Sequence, residues 1–283
     1  MEYIRKKEAS MHSKRKYVLG FIGMGHMNTA IARGAAVSES IERYQVCVYD
    51  HHPERTKALC NEESFTWLES EKEVAENSHI VVLGVTPQKV DAALENLKSV
   101  KIECLLTIVT GVPISHYQEV LGSDVPVIRA MPNTPLQIAE GATALCMSAN
   151  ASADDYDFVY SLFSSMGIAR TIPEDKMSEI IAVNGSTPAY FYYFIDVMMK
   201  DAMAHGIEEE SARALLVQTM IGSGELLMKN KTTPIEDFVN EVCSPGGTTI
   251  EAVNVMKQDD ALAKVLKEAN AKCIKRAEEL GGK

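Results

Sequence analysis

Short apolar segments alternate with helix-compatible segments through the N-terminal half of the chain. Runs this short and this continuously apolar are typical of strands that are buried on both faces of a sheet. We therefore predict a parallel sheet with helices on both faces, an α/β arrangement. The predicted strands are residues 17–22, 45–49, 80–85, 104–109 and 125–128, and the predicted helices among them include 27–36, 53–61 and 88–97.

The pattern becomes wholly helical after residue 172. Residues 176–204 have helical composition with a kink predicted at 185–188, where Gly185 and Pro188 interrupt it. Residues 208–229 and 259–280 each place apolar side chains at spacings of three and four, which predicts two amphipathic helices. Their stripes are broad enough to indicate packing between helices of two subunits. The predicted division is a disordered leader at 1–16, a sheet domain at 17–172 and an all-α domain at 173–283.

Composition narrows the class of protein. The 283 residues are 46% hydrophobic, yet no run of about 18 apolar residues occurs, so we expect no membrane span. The net charge of -11 argues against a nucleic-acid partner, because phosphate binding needs clustered Lys and Arg. The six cysteines are scattered without a Cys-x-x-Cys pair, which favours a reducing cytoplasm and predicts no disulfide scaffold and no metal site.

A glycine turn follows the first predicted strand. The segment Gly23-Met24-Gly25-His26-Met27-Asn28 matches the dinucleotide fingerprint Gly-x-Gly-x-x-Gly except at its third position, where Asn28 stands. Two such glycines let the backbone approach a pyrophosphate, whose charge then meets a helix N-terminus. The segment follows a strand and opens a helix, so a Rossmann cofactor site is favoured over a structural turn.

Asp50 ends the second predicted strand, 22 residues after Asn28, where a ribose-binding acid is expected. Its carboxylate would repel the additional phosphate of NADP, although His51, His52 and Arg55 could offset that repulsion. The sequence therefore favours NADH over NADPH and leaves both open.

A second turn interrupts the helical half at Ser244-Pro245-Gly246-Gly247-Thr248-Thr249. Proline and two glycines permit a tight turn into a new helix, where free backbone amides can receive an anion. The alternative is a turn that only caps a helix, since Ser and Thr are common caps.

Taken with the fingerprint, three further segments give the chain a resemblance to pyrroline-5-carboxylate reductase. These are Arg129-Ala130-Met131-Pro132-Asn133-Thr134-Pro135, Glu140-Gly141-Ala142-Thr143 and the turn at 244–249, and the match runs from about Val18 to Leu280. The resemblance implies a Rossmann domain followed by a helical dimerisation domain, in a homo-oligomer that is a dimer or a decamer. It also implies hydride transfer from NADH or NADPH to the carbon–nitrogen double bond of 1-pyrroline-5-carboxylate, which gives L-proline.

The resemblance also assigns roles to individual positions. In the turn, the amides would receive the substrate carboxylate and the Thr249 hydroxyl would hydrogen-bond the ring nitrogen, which makes Thr249 the candidate catalytic residue. The expected substrate-binding residues are Ser244, Gly246, Gly247, Thr248, Thr249 and Glu174. The expected cofactor-binding residues are Gly23, Met24, Gly25, His26, Met27, Asp50, Val85, Thr86, Pro87, Gly111, Met131, Asn133 and Thr134.

Three positions depart from the family's usual pattern. Asn28 replaces a small residue, Thr86 stands where lysine is usual, and Asn184-Gly185-Ser186-Thr187-Pro188 replaces a serine- and glycine-rich segment. The first two bear on cofactor affinity and selectivity, and the third on the helix beside the substrate. Two alternatives stay open: a reductase of another cyclic imine or a short hydroxyacid, and a non-catalytic nucleotide-sensing protein.

Overall fold

A computed structural model describes residues 15–37 and 41–282. The leader was predicted at residues 1–16, and its residues 1–14 lie outside the described ranges. Arg15 follows it, and its guanidinium donates hydrogen bonds to the carbonyl of Lys101 at 2.7 Å and to Oε1 of Glu103 at 3.1 Å. The chain is thus in contact with the folded part from Arg15 onward.

Eight strands within the described ranges form one sheet in the order β3-β2-β1-β4-β5-β6-β7-β8. All neighbouring pairs are parallel except β6 and β7. The five predicted strands are present with small shifts of their ends, whereas β3, β7 and β8 were not predicted. The strands are β1 Tyr17–Ile22, β2 Val46–Tyr49, β3 Thr66–Trp67, β4 Ser78–Leu83, β5 Cys104–Thr107, β6 Val127–Met131, β7 Gly141–Met147 and β8 Gly167–Thr171.

Helices follow most strands, and they become the only regular elements after β8. The predicted helices are confirmed, with the kink near Gly185 formed by a π-helix at Ile181–Gly185 that precedes a new α-helix. The α-helices are α1 His26–Val37, α2 Pro53–Glu63, α3 Glu71–Asn77, α4 Val90–Leu97, α5 Ile114–Leu121, α6 Ala153–Ser164, α7 Thr187–Ala204, α8 Glu209–Lys229, α9 Ile235–Val242, α10 Thr248–Lys257 and α11 Ala261–Leu280.

Alternating strand residues face two separate apolar cores. On one face, Ile80 and Val82 of β4 belong to a core that includes residues of α1, α2 and α6. On the other face, Val81 and Leu83 belong to a core that includes residues of α3, α4 and α5. Both faces of the sheet are therefore covered, as the continuous apolar runs predicted.

The prediction of a parallel sheet is wrong at one place, the pairing of β6 with β7. Only nine residues join Met131 to Gly141, too few for the crossover helix that parallel neighbours require. A short 3-10 helix at Thr134–Ile138 and Ala139 in the left-handed conformation (φ 59°) reverse the chain instead. The sheet is mixed as a result, although parallel pairs dominate it.

The chain divides into two compact units. One runs up to Pro188 and includes Cys273 onward, and the other is Ala189–Lys272. The boundary expected at 172/173 lies just after the last strand, β8, and it stays a prediction. Within the second unit, Ala212 alone is buried among the described residues, while Leu215 is 68% and Val265 65% exposed. The predicted apolar stripes of α8 and α11 are therefore largely uncovered in a single chain.

A half-buried cluster of ionisable side chains joins the N-terminal ends of β4 and β5 to α6. Nδ1 of His79 lies 2.7 Å from Oε2 of Glu103, and its Nε2 lies 2.7 Å from Oδ1 of Asp155. Burial by itself lowers the pKa of His79, but the hydrogen bonds to Asp155 and Glu103 outweigh it and raise that pKa. Burial likewise works to raise the pKa of Asp155, but hydrogen bonds from His79 and Ser152 lower it. Both shifts favour the charged pair of a His79 imidazolium and an Asp155 carboxylate.

Candidate functional site

The glycine turn after β1 presents bare backbone. Gly23 has a φ of +84°, and a Cβ placed on it would lie 3.0 Å from the carbonyl oxygen of Gly84. A Cβ placed on Gly25 would meet no atom within 4 Å. Gly23 is therefore required by conformation and close packing, whereas Gly25 leaves open space over the backbone, as close approach of a pyrophosphate needs.

A cleft of about 260 Å³ lies beside this turn, at the carboxyl ends of β1, β2 and β4. That edge of a doubly wound sheet is where such proteins bind their ligands. The cleft brings together five of the predicted cofactor residues, Gly23, Gly25, Asp50, Val85 and Thr86. Its lining also includes Ile22, Tyr49, His51, His52, Arg55, Glu71, Gly84 and Lys89.

Asp50 is tied to the glycine turn by hydrogen bonds. Its Oδ2 accepts from the backbone amide of Met24 at 2.6 Å, and its Oδ1 accepts from the amide of His52 at 2.8 Å. Nη2 of Arg55 donates to the carbonyl oxygen of Met24 at 2.5 Å. The acid at the end of β2 and the turn after β1 therefore form one connected wall of the cleft.

Asn28 occupies the third position of the fingerprint, where glycine is usual, and is hydrogen-bonded to the turn. It is buried in α1, and its Nδ2 donates to the carbonyl oxygen of Gly23 at 2.6 Å. A Cβ on Gly84 would lie 2.3 Å from that Nδ2, so the amide side chain occupies the room that Gly84 leaves. The larger side chain at the third position is thus accommodated by the absence of a side chain at Gly84, which follows β4.

The predicted residues Met131, Asn133 and Thr134 lie on the reversal between β6 and β7. Oδ1 of Asn133 accepts from the amide of Ala142 at 2.9 Å, and Met131 is buried while Thr134 is exposed. Nδ2 of Asn184, in the π-helix, donates to the carbonyl oxygens of Met131 and Ala142 at 2.8 Å each. These bonds fix the reversal to the π-helix, and a cofactor role for the three residues stays a prediction.

The other predicted cofactor residues lie outside the cleft lining. Gly111 has a φ of +85°, and a Cβ on it would lie 2.2 Å from the carbonyl oxygen of Ala277, so close packing against α11 explains this glycine. His26 is exposed and lines a separate cavity of about 490 Å³ between α1 and residues 136–139. Met27 packs against the core, and Pro87 begins a 3-10 helix at Pro87–Lys89. Their cofactor roles remain untested predictions.

Glu174, predicted to bind substrate, has protein partners. Its Oε1 accepts from the backbone amide of Ile114 at 2.7 Å and lies 3.1 Å from Nη1 of Arg129, whose side chain is only 5% exposed. One carboxylate oxygen thus joins the start of α5 to the middle of β6. This pairing could not be predicted from local sequence, because the two charged residues lie 45 positions apart.

The candidate substrate turn lies in the second unit, between α9 and α10. The Gly247 amide donates to the carbonyl oxygen of Ser244 at 3.0 Å, Gly246 has a φ of +72°, and a Cβ on Gly246 would meet nothing within 4 Å. Gly247 occupies the N-cap of α10, and no side chain caps this helix. Among the described residues no hydrogen bond engages the hydroxyls of Ser244, Thr248 or Thr249. The helix-cap alternative therefore has no capping bond to support it.

Among the described residues, no three His, Cys, Asp or Glu side chains converge in a way that could hold a metal ion. Across residues 15–37 and 41–282, helices that combine the length and the apolarity needed to cross a bilayer are lacking.

A doubly wound sheet with a glycine turn and an acid at the end of β2 defines a Rossmann-type dinucleotide-binding protein, and this one carries a helical second unit. Two families match separate parts of the chain. Residues 174–280 match the family described as pyrroline-5-carboxylate reductase dimerisation, and residues 18–111 match the family described as NADP oxidoreductase, coenzyme F420-dependent.

Individual relatives extend the match over nearly the whole chain. The pyrroline-5-carboxylate reductase of Escherichia coli is 34% identical over 93% of this chain and 97% of its own length, and that of Arabidopsis thaliana is 30% identical over 93% and 95%. A crystal structure of the Plasmodium falciparum enzyme with NADP bound superposes with a TM-score of 0.84 at 27% identity, covering 95% of this chain and 100% of that one. This chain belongs to the pyrroline-5-carboxylate reductase family.

Proposed function

We propose that this protein reduces 1-pyrroline-5-carboxylate to L-proline with a nicotinamide dinucleotide as hydride donor. The observation that carries this conclusion is the 34% identity to the Escherichia coli reductase over 93% of the chain. The cleft at the glycine turn and the uncapped helix start at Gly247 support the proposal, because the reaction needs a cofactor site and a site for an anionic substrate.

The chain's own residues then bind and orient the two reactants. The open backbone at Gly25 and the N-terminus of α1 receive the pyrophosphate, and Asp50 accepts hydrogen bonds from the adenosine ribose. The free amides at the start of α10 receive the substrate carboxylate, and the Thr249 hydroxyl hydrogen-bonds the ring nitrogen. A bound reduced nicotinamide supplies the hydride to the protonated imine, and solvent supplies the proton. Such a reaction depends on positioning more than on a strong acid or base.

Cofactor choice follows from the charge of the cleft. Asp50 lines the cleft, and its carboxylate would disfavour a phosphate on the adenosine ribose by repulsion. Arg55 and Lys89 are the cationic residues of the lining, and Arg55 already donates to Met24. We therefore expect NADH to be preferred over NADPH.

Assembly and location complete the proposal. The exposed apolar side chains of α8 and α11 and the match of residues 174–280 to a dimerisation family support at least a homodimer, with the substrate turn in the helical domain 173–283. Assembly of dimers into a decamer is the further step that we keep as a hypothesis. All six cysteines are free, which supports a reducing compartment, the cytoplasm.

A substrate panel tests the assigned reaction. Purified protein is mixed with NADH or NADPH and with 1-pyrroline-5-carboxylate, a six-membered cyclic imine acid or a short ketoacid, and cofactor absorbance is followed. We expect kcat/KM to be highest for 1-pyrroline-5-carboxylate. A higher value for another compound would assign a different reductase, and cofactor binding without oxidation in any mixture would indicate a nucleotide sensor.

A further inference from the structure

Glu71 is a buried acid in the cofactor cleft that the glycine fingerprint does not include. It begins α3, whose N-cap Ser70 accepts a hydrogen bond from the amide of Glu73 at 3.1 Å. Its side chain is only 7% exposed, yet it lines the same cleft as Gly25 and Asp50. A carboxylate in such surroundings is normally paired with a cation, and the ion-pair partner of Glu71 among the described residues is an imidazole, with Nε2 of His51 at 3.4 Å.

The surroundings of Tyr49 show that this part of the cleft is acidic. Its hydroxyl lies 3.4 Å from Nδ1 of His51, on the other side of the imidazole from Glu71. Burial first, and then the negative charges of Glu71 and Asp50, raise the pKa of the Tyr49 hydroxyl. Two carboxylates from different elements, the end of β2 and the start of α3, therefore act on one region.

The cations in the cleft lining are more exposed than Glu71. Arg55 and Lys89 are exposed to solvent, where water and salt screen their charge. Glu71 is the more buried group, so its charge is screened less than theirs. A ribose diol can donate hydrogen bonds to carboxylates, whereas a ribose phosphate can only accept them and is repelled.

We propose that Glu71 is a second determinant of cofactor choice, which acts together with Asp50 to exclude a phosphate on the adenosine ribose. The inference rests on the proposed function only in that a nicotinamide dinucleotide binds this cleft. Glu71 lies 21 positions after Asp50 and begins a helix, so a motif based on the ends of strands would not select it.

Binding titrations with matched variants test the assignment. Glu71→Gln removes the charge and keeps the shape, Glu71→Asp keeps the charge, and Glu76→Gln makes the same charge change on the same helix outside the cleft. We expect Glu71→Gln to raise the affinity for NADPH relative to NADH by roughly tenfold, the effect of one charge within about 10 Å of a phosphate at an effective dielectric constant near 20. Glu71→Asp should stay close to the original ratio, and Glu76→Gln should leave it unchanged.

Two results would overturn the role of Glu71: an unchanged ratio in a folded Glu71→Gln protein, or an equal shift in Glu76→Gln. The unaltered protein offers a test that does not depend on a variant folding. Adenosine 2′-monophosphate should displace bound NADH at least about tenfold more weakly than adenosine 5′-monophosphate does, and equal potency would overturn the proposal. These titrations contain no pyrroline substrate. If the reductase assay fails, the proposed reaction is rejected, and the ratio of NADPH to NADH affinity still tests the role of Glu71.

Discussion

Replacement of Thr249 by valine distinguishes a turn that binds substrate from a turn that only starts a helix. The Thr249 hydroxyl has no hydrogen bond among the described residues, and the N-cap of α10 is Gly247, which lacks a side chain. Valine keeps the shape of threonine and removes the hydroxyl. Folding stability should therefore change by less than the 0.5 to 2 kcal/mol or so that loss of a helix cap costs.

The catalytic effect of the same replacement should be larger. A hydrogen bond to a ring nitrogen that is charged in the iminium contributes about 1.5 to 3 kcal/mol, so kcat/KM for 1-pyrroline-5-carboxylate should fall roughly 10- to 150-fold. NADH affinity should hardly change. Tm and kcat/KM are measured on one preparation of each protein. Normal turnover per folded molecule with a lowered Tm would refute the reasoning and restore the capping role.

Four further outcomes follow from the site and the fold. Gly25→Val should fold normally, because a Cβ there meets no atom within 4 Å, but should weaken NADH binding in a fluorescence titration by about 100-fold or more. Asp50→Ser should raise the NADPH to NADH ratio of kcat/KM, and a fixed ratio would show that Asp50 does not contact the ribose. His79→Gln should lower the free energy of unfolding by about 2 kcal/mol at mildly acid pH. The contribution of His79 to stability is fully present below its ordinary pKa of 6.5 and is lost as pH rises through its raised pKa. The contribution of Asp155 is present above its ordinary pKa of 3.8 and is lost as pH falls through its lowered pKa. If the cluster were uncharged, urea unfolding would show that His79→Gln lowers the free energy of unfolding by the same amount at every pH in this range. Light scattering at micromolar concentration should give at least twice the mass of one chain, and a monomer would contradict the dimer interface.

The elements that could be predicted are those set by the local pattern of apolar, polar and glycine residues. Residues 17–22 are continuously apolar and end at Gly23, so both β1 and the turn could be assigned from the sequence. Asp50 could be assigned because its position relative to the turn is set by the length of one helix and one strand. The stripes of α8 and α11 predicted uncovered apolar surface for the same reason.

The features that the sequence did not predict depend on contacts between distant residues or on single backbone angles. The antiparallel pairing of β7 depends on Ala139 adopting a left-handed conformation that alanine rarely takes. Glu174 meets Arg129 and Ile114 only after the sheet has formed. Glu71 enters the cleft because α3 begins there, and an acidic residue in a first helical turn is too common to signal a site.

The formation of L-proline from 1-pyrroline-5-carboxylate is tested most directly by the stoichiometry of the reaction. Purified protein is incubated with the substrate and a limiting amount of NADH, and proline and remaining NADH are quantified in the same samples. We expect one L-proline for each NADH oxidised. With NADPH in place of NADH we expect the same ratio and a lower rate. Oxidation of the cofactor without formation of proline, or no oxidation by a folded protein that binds NADH, would contradict the proposed reaction.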